Sequence, residues 1–150
     1  MVRLTRSGTV SRAPNEVFAF LADCRTEEVW DPDTVSVVKL TDGPIGLDTQ
    51  FRDINKAGGR QTETIWKTVV YDEPRRVTRA GESSNGMSLR STYTVEPAGD
   101  GSRVTLQLEV ELSGLRRLLE PLVRIVLARY AAASQPRLMQ ALEAPIEGRA

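Results

Sequence analysis

The stretch RVTLQLEVEL, residues 103–112, alternates without a break. Val104, Leu106, Leu108, Val110 and Leu112 share one parity, and Thr105, Gln107, Glu109 and Glu111 share the other. A period of two with one apolar side predicts a strand with one buried face, as antiparallel sheets permit. The same alternation, less regular, runs through 2–11, 35–40, 48–54, 61–71, 77–82 and 87–96. Turn chemistry separates the later runs: DGPIG at 42–46, KAGGR at 56–60, DEPR at 72–75, SSNG at 83–86 and PAGDGS at 97–102.

Two regions break the period of two. Ala13-Pro14-Asn15-Glu16 predicts a helix start, because the missing N–H of a proline costs little there. Val17, Phe18, Phe20 and Leu21 form its apolar face, Asp23 ends it, and a second short helix runs through Val29 until Asp31-Pro32 stops it. Residues 115–142 switch to a helical stripe of Leu115, Leu118, Leu119, Leu122, Val126, Tyr130, Leu138, Met139 and Leu142. Pro121 suits the first turns, and Pro136 is expected to kink or interrupt the helix near its end. The order is therefore strand, two short helices, about six antiparallel strands and one long helix. One apolar sheet face and one helix to cover it predict an α+β fold, a strongly curved sheet wrapped around the C-terminal helix as a single domain over 1–150.

Composition narrows the chemistry more than the fold. Basic and acidic side chains balance at 20 each, so no global field argues for nucleic acid or an acidic membrane. The lone Cys24 allows no internal disulfide and reads as an inert buried thiol; no Cys/His spacing suggests a metal, and no cofactor is implied. The N-terminus has no apolar run resembling a secretory signal, and LLEPLVRIVLA at 118–128 is too short to span a bilayer. A reduced, cytoplasmic location is the expectation, with monomer and homodimer both open. The chain has no histidine, which removes Ser-His and Cys-His nucleophile systems and leaves proton transfer to carboxyl, tyrosine, lysine, cysteine or water.

The segment TVSRAPNEVFAFLADCRTEEVWDPDTVSVVKL resembles the opening of the START-like (SRPBCC) superfamily, in its polyketide cyclase/dehydrase and lipid-transport branch. The matching pieces are a strand ending before Ala13-Pro14, then Glu16-Val17-Phe18, Leu21-Ala22-Asp23, Trp30 with Pro32, and Gly43-Pro44. Asp48 departs, standing where many members carry glycine. The resemblance implies a helix-grip fold: seven antiparallel strands around the long helix, with two short helices between strands 1 and 2. It also implies a deep apolar cavity between sheet and helix. It transfers no catalytic motif, since the group spans lipid carriers, hormone receptors and aromatase/cyclases.

Strand parity supplies the candidate lining. Thr49, Phe51 and Asp53 share the inward side of one strand; Thr64, Trp66, Thr68 and Val70 of the next; Val77 and Arg79 of the third; Met87, Leu89, Ser91, Tyr93 and Val95 of the fourth. Leu106, Leu108, Leu122 and Val126 read first as core and second as cavity wall, with Tyr130 on the same helical stripe. Trp30 reads first as a corner plug between the short helices and the sheet, and Trp66 equally as wall or core. Asp53, Arg79, Ser91 and Tyr93 form a polar group in which buried Asp53 and Arg79 would need each other, water or a polar ligand. A parity break placing one or more of them at a rim is the competing reading.

Three functions are compatible. The first is a binding protein for a hydrophobic or amphipathic small molecule, such as a lipid or polyketide-like aromatic. The second is a cyclase or dehydratase in which Tyr93 or Asp53 transfers protons and Arg79 stabilises an enolate. The third is a protein-interaction module with a filled interior. A membrane-surface reading of helix 115–130 also exists, but burial of its stripe by the sheet accounts for it better.

Overall fold

The computed structural model describes residues 1–57 and 59–143. Of the turn expected at 56–60, Gly58 lies outside the described residues. Seven strands form one antiparallel sheet: β1 (Val2–Val10), β2 (Thr34–Lys39), β3 (Gln50–Ala57), β4 (Arg60–Asp72), β5 (Arg76–Ser83), β6 (Ser88–Ala98) and β7 (Gly101–Glu111). The sheet order is β1-β7-β6-β5-β4-β3-β2, so every neighbour except the β1–β7 pair is consecutive in the chain. Between β1 and β2 stand α1 (Pro14–Ala22), a 3₁₀ turn (Cys24–Thr26) and α2 (Glu27–Trp30). A second 3₁₀ turn (Gly114–Leu119) leads into α3 (Glu120–Glu143). This is a helix-grip architecture.

Local chemistry explains the short helices. Pro14 opens α1, and Asp23 ends it in extended backbone while its carboxylate accepts from Arg25 N to start the next turn. Helix α1 buries Val17, Phe18, Phe20, Leu21 and Ala22. Together with Val77, Tyr93, Val95, Val104, Leu138 and Leu142 they form the larger core cluster, while Cys24, Val37 and Phe51 form a smaller one.

The registers settle which parities face inward. On β6 and β7, Tyr93 pairs with Leu106, Ser91 with Leu108 and Leu89 with Val110, as the alternation of both strands requires. Arg3 pairs with Glu109 on the outer face and donates to its carboxylate at 3.2 Å. Strand β4 departs from the expected parity. A register shift between Thr68 and Val70 makes Tyr71 the partner of Val77, so Tyr71 takes the inward place expected for Val70. A single extra residue flips every side chain beyond it, and an alternation pattern cannot announce it.

Helix α3 differs more. It continues through Pro136 to Glu143 instead of being interrupted there. The lost hydrogen bond is outweighed by burial of Leu138 and Leu142 on the following turns. The helix lies along the edge strand β1: Gln135 Nε2 donates to Ser7 O at 3.0 Å, and Met139 packs against Gly8. The face it buries is Ala131, Ser134, Leu138 and Leu142, the first two small enough to allow close approach and the two leucines filling the core. Leu122 and Val126, expected in the core or on a cavity wall, are 57% and 56% exposed, and Leu115, Leu118 and Leu119 are exposed with them. The sheet does not account for the first half of the stripe.

Asp48 adopts φ 69°, the left-handed conformation that glycine enters without strain. Its ion pair with Lys67, 3.5 Å long between exposed side chains, contributes little. Asp48→Gly is therefore expected to leave stability unchanged or raise it by up to about 1 kcal/mol, and Asp48→Ala to lower it by about 1 kcal/mol. Chemical denaturation of the two variants checks the order.

Candidate functional site

The side chains that parity placed inward converge at the middle of the sheet. Asp53, Thr64, Thr68, Arg79, Ser91 and Tyr93 are all buried, and Phe51 is fully so. No parity break moves Asp53, Arg79, Ser91 or Tyr93 to a rim. Asp53 and Arg79 are nonetheless not each other's partners. Asp53 Oδ2 accepts from Trp66 Nε1 at 3.2 Å. Asn55 lies beside the same carboxyl, yet Oδ1 makes no hydrogen bond of ordinary geometry.

Arg79 turns to the short helices. Its Nη1 donates to the carbonyls of Leu21 and Ala22 at 3.0 and 3.2 Å, the last carbonyls of α1, which no helical N–H can reach. Its Nη2 lies 3.7 Å from Glu27 Oε2, and its guanidinium carbon is 5.7 Å from the centre of the Tyr93 ring. Cys24 Sγ donates to the same Glu27 oxygen at 2.8 Å. Asp31, on the far side of α2, accepts from the Tyr130 hydroxyl, tying α3 to the short helices.

Glu27, Cys24 and Asp31 were not candidates from sequence. Cys24 and Glu27 sit in elements of three or four residues and Asp31 just past the second, all too short to show periodicity. Ligand atoms of Cys24, Glu27 and Asp53 lie within 4.8 Å of one another, a spacing a cation could use. Arg79 already supplies positive charge there, and burial first, then Glu27, holds the Cys24 thiol well above its ordinary pKa. The trio is thus built as a polar cluster in which the thiol keeps its proton.

Burial sets the titration of this cluster. It pushes the Glu27 carboxyl up to about 8 against the opposing pull of Arg79. Asp53 is raised to about 6, again by burial, with the Trp66 hydrogen bond and the neighbouring Asn55 acting the other way. Burial also raises Tyr93 and Tyr130 above the ordinary phenol range, so both hydroxyls stay protonated, that of Tyr130 as a donor to Asp31. In a chain without histidine, Glu27 and Asp53 are the groups brought nearest neutrality.

The walls are apolar and incompletely covered. Trp66, Leu89, Leu106 and Leu108 face inward yet are only half-buried. Trp66 lies flat against Gly81: a Cβ there would meet its ring at 2.7 and 2.8 Å. Gly81→Ala is therefore expected to displace the indole, break its bond to Asp53 and cost about 1–3 kcal/mol. Thermal unfolding with near-ultraviolet circular dichroism reads both effects.

Beneath the buried part of α3, where the resemblance implies a deep chamber, lies a pocket of only about 20 Å³ lined by Arg6, Trp30, Leu106, Ser134 and Met139 among others. That holds one water, for which the partnerless donors Trp30 Nε1 and Arg6 Nε are suited. Trp30 is buried in the larger core cluster, as a corner plug would be. Helix-row geometry points elsewhere for space. Leu122, Val126 and Tyr130 follow at four-residue steps, so one face of α3 runs from exposed apolar side chains to the Tyr130–Asp31 bond.

A helix-grip sheet with a polar floor and an uncovered apolar wall defines the class, and the family follows. Residues 1–143 match the family described as "Polyketide cyclase / dehydrase and lipid transport", and the chain belongs to it. The structure is similar to that of TTHA0849 from Thermus thermophilus (TM-score 0.76, 19% identity, covering 94% of this chain and 97% of that one). It is similar to a START superfamily protein from Mycobacterium smegmatis (TM-score 0.69, 17% identity, 93% and 98%). It is also similar to the Zhui aromatase/cyclase from Streptomyces (TM-score 0.75, 13% identity, 99% and 97%). No curated protein matches the sequence. Among the described residues no helix is long and apolar enough to cross a membrane. The family and the fold support a ligand-binding or cyclase role.

Proposed function

We propose that the protein binds an amphipathic small molecule with an anionic or phenolic end, such as a fatty acid or a polyketide-like aromatic. The guest's apolar body lies in an open groove between an exposed row, Leu119 at the end of the 3₁₀ turn with Leu122 and Val126 of α3, and the inner sheet face at Trp66, Leu89 and Leu108. Its polar end points to the floor at Arg79, Glu27 and Asp53, where Ser91 and Tyr93 add hydroxyl groups. The observation that carries this reading is the incomplete burial of inward-facing apolar side chains directly beside a buried polar cluster. Apolar burial drives binding at about 25 cal/mol per Å² removed from water, and the few polar groups orient the guest. At neutral pH the raised Glu27 carboxyl is mostly protonated, so at the Arg79–Glu27 pair an incoming anion meets the guanidinium and a neutral acid, whereas Asp53, raised to about 6, keeps most of its charge.

Titration with the apolar anion 1-anilinonaphthalene-8-sulfonate tests this. One site is expected, competed by dodecanoate and lost in Leu108→Asp and Val126→Asp. Binding that ignores both substitutions, or no binding at all, contradicts the reading. Native mass spectrometry of protein from its source is expected to reveal a co-purified lipophile.

The two near-neutral carboxyls favour a second reading, a cyclase or dehydratase. Asp53 or Glu27 then moves protons and Arg79 stabilises the enolate. Ring closure of a poly-β-ketone that survives both Asp53→Asn and Glu27→Gln removes these groups from any such role.

A further inference from the structure

We propose that the start of α3 and the 3₁₀ turn before it form a docking surface for an anionic lipid membrane. Six large apolar side chains, Leu115, Leu118, Leu119, Leu122, Ile125 and Val126, are 50% exposed or more within twelve residues of chain. Scattered exposed leucines are ordinary, but a contiguous set of six marks an interaction surface. On the described chain nothing covers it, because α3 buries its other face against β1 and α2.

Charge selects the occupant. The segment 114–129 carries four arginines against one glutamate, in a chain whose net charge is zero. Glu120 is already held by the Met1 amino group at 2.6 Å, and Arg116 reaches the Asn85 carbonyl. Arg117, Arg124 and Arg129 form no salt bridge among the described residues. Leucines interleaved with an excess of arginines that form no salt bridge among the described residues suit an interfacial helix, whose apolar side enters the acyl boundary while its cations meet lipid phosphates. A second copy of the same face would bring like charges together with no free carboxylate to offset them. The surface lies on a bilayer without crossing it.

The surface shares Leu119, Leu122 and Val126 with the groove, but Leu118, Ile125 and the arginines are not assigned to guest binding, so variants at those positions separate the two readings. Sedimentation with phosphatidylcholine vesicles, with and without phosphatidylglycerol, tests it. Affinity is expected to rise at least about tenfold with the anionic lipid and to fall with added salt. The double variant Leu118→Glu/Ile125→Glu, altered only at exposed positions, is expected to keep the native melting temperature and lose vesicle binding. Arg117→Glu/Arg124→Glu is expected to lose the preference for anionic lipid. Vesicle binding untouched by both variants overturns the proposal, as does no binding to either vesicle. A dimer in ultracentrifugation that Leu118→Glu/Ile125→Glu dissociates, in protein that ignores vesicles, assigns the face to a second copy instead.

Discussion

Arg79→Met is expected to be the most damaging single substitution, lowering stability by about 3–5 kcal/mol and abolishing binding of an anionic probe. Arg79 joins three parts of the molecule: β5, the end of α1 through the Leu21 and Ala22 carbonyls, and α2 through Glu27. Without it the two carbonyls are buried with no donor, each costing about 1–3 kcal/mol. Arg79→Lys keeps the charge but not the planar fork, so it is expected to recover only part of the loss. Adding Glu27→Leu to Arg79→Met is expected to cost less than the two separate losses together, because the carboxyl would no longer be buried beside an empty place. Denaturant unfolding of the four proteins measures this. A loss below about 1 kcal/mol for Arg79→Met would mean that the short helices do not depend on it.

The second large effect is on pH. Glu27 titrates near 4.5 when exposed and at about 8 in the fold. Its folded form favours the proton, so its contribution is complete below pH 4.5 and is lost as the pH rises through 8. Asp53 acts in the same direction over a lower window, from 3.8 to about 6. The protein is thus expected to be more stable at pH 5 than at pH 8, by an amount on the order of a few kcal/mol. Between pH 6 and 8 the slope belongs to Glu27, and Glu27→Gln is expected to flatten it. Melting temperatures across that range decide the matter: an unchanged slope in Glu27→Gln assigns the effect to other groups.

Legibility in the sequence followed the regularity of the element. On β3, β6 and β7 alternation is unbroken, and it correctly put Asp53, Ser91, Tyr93, Leu106 and Leu108 on one face. Arg79 came with them because Val77 fixed the parity of β5. The bulge in β4 defeated the same argument one turn later, at Val70. The helical period named an apolar stripe on α3 but not what would cover it. Leu138 and Leu142 meet the sheet, whereas Leu122 and Val126 do not, and side-chain character is the same in both pairs. Glu27 was hidden because a four-residue helix has no period, and the identity of Arg79's partner depends on where β5 passes the chain end of α1. The family words at 9–40 led to the fold, and the glycine-to-aspartate departure at 48 marks a backbone that does require the left-handed conformation.

The two tryptophans supply the most direct test of the proposed groove. Trp66 stands half-buried on the inner sheet face, whereas Trp30 is closed into the core behind α3. Their indole N–H signals, assigned with Trp30→Phe, are to be followed by NMR during titration with dodecanoate. A saturable shift of the Trp66 signal with Trp30 nearly still is the predicted result; an unmoved Trp66, or movement of Trp30 alone, contradicts the account.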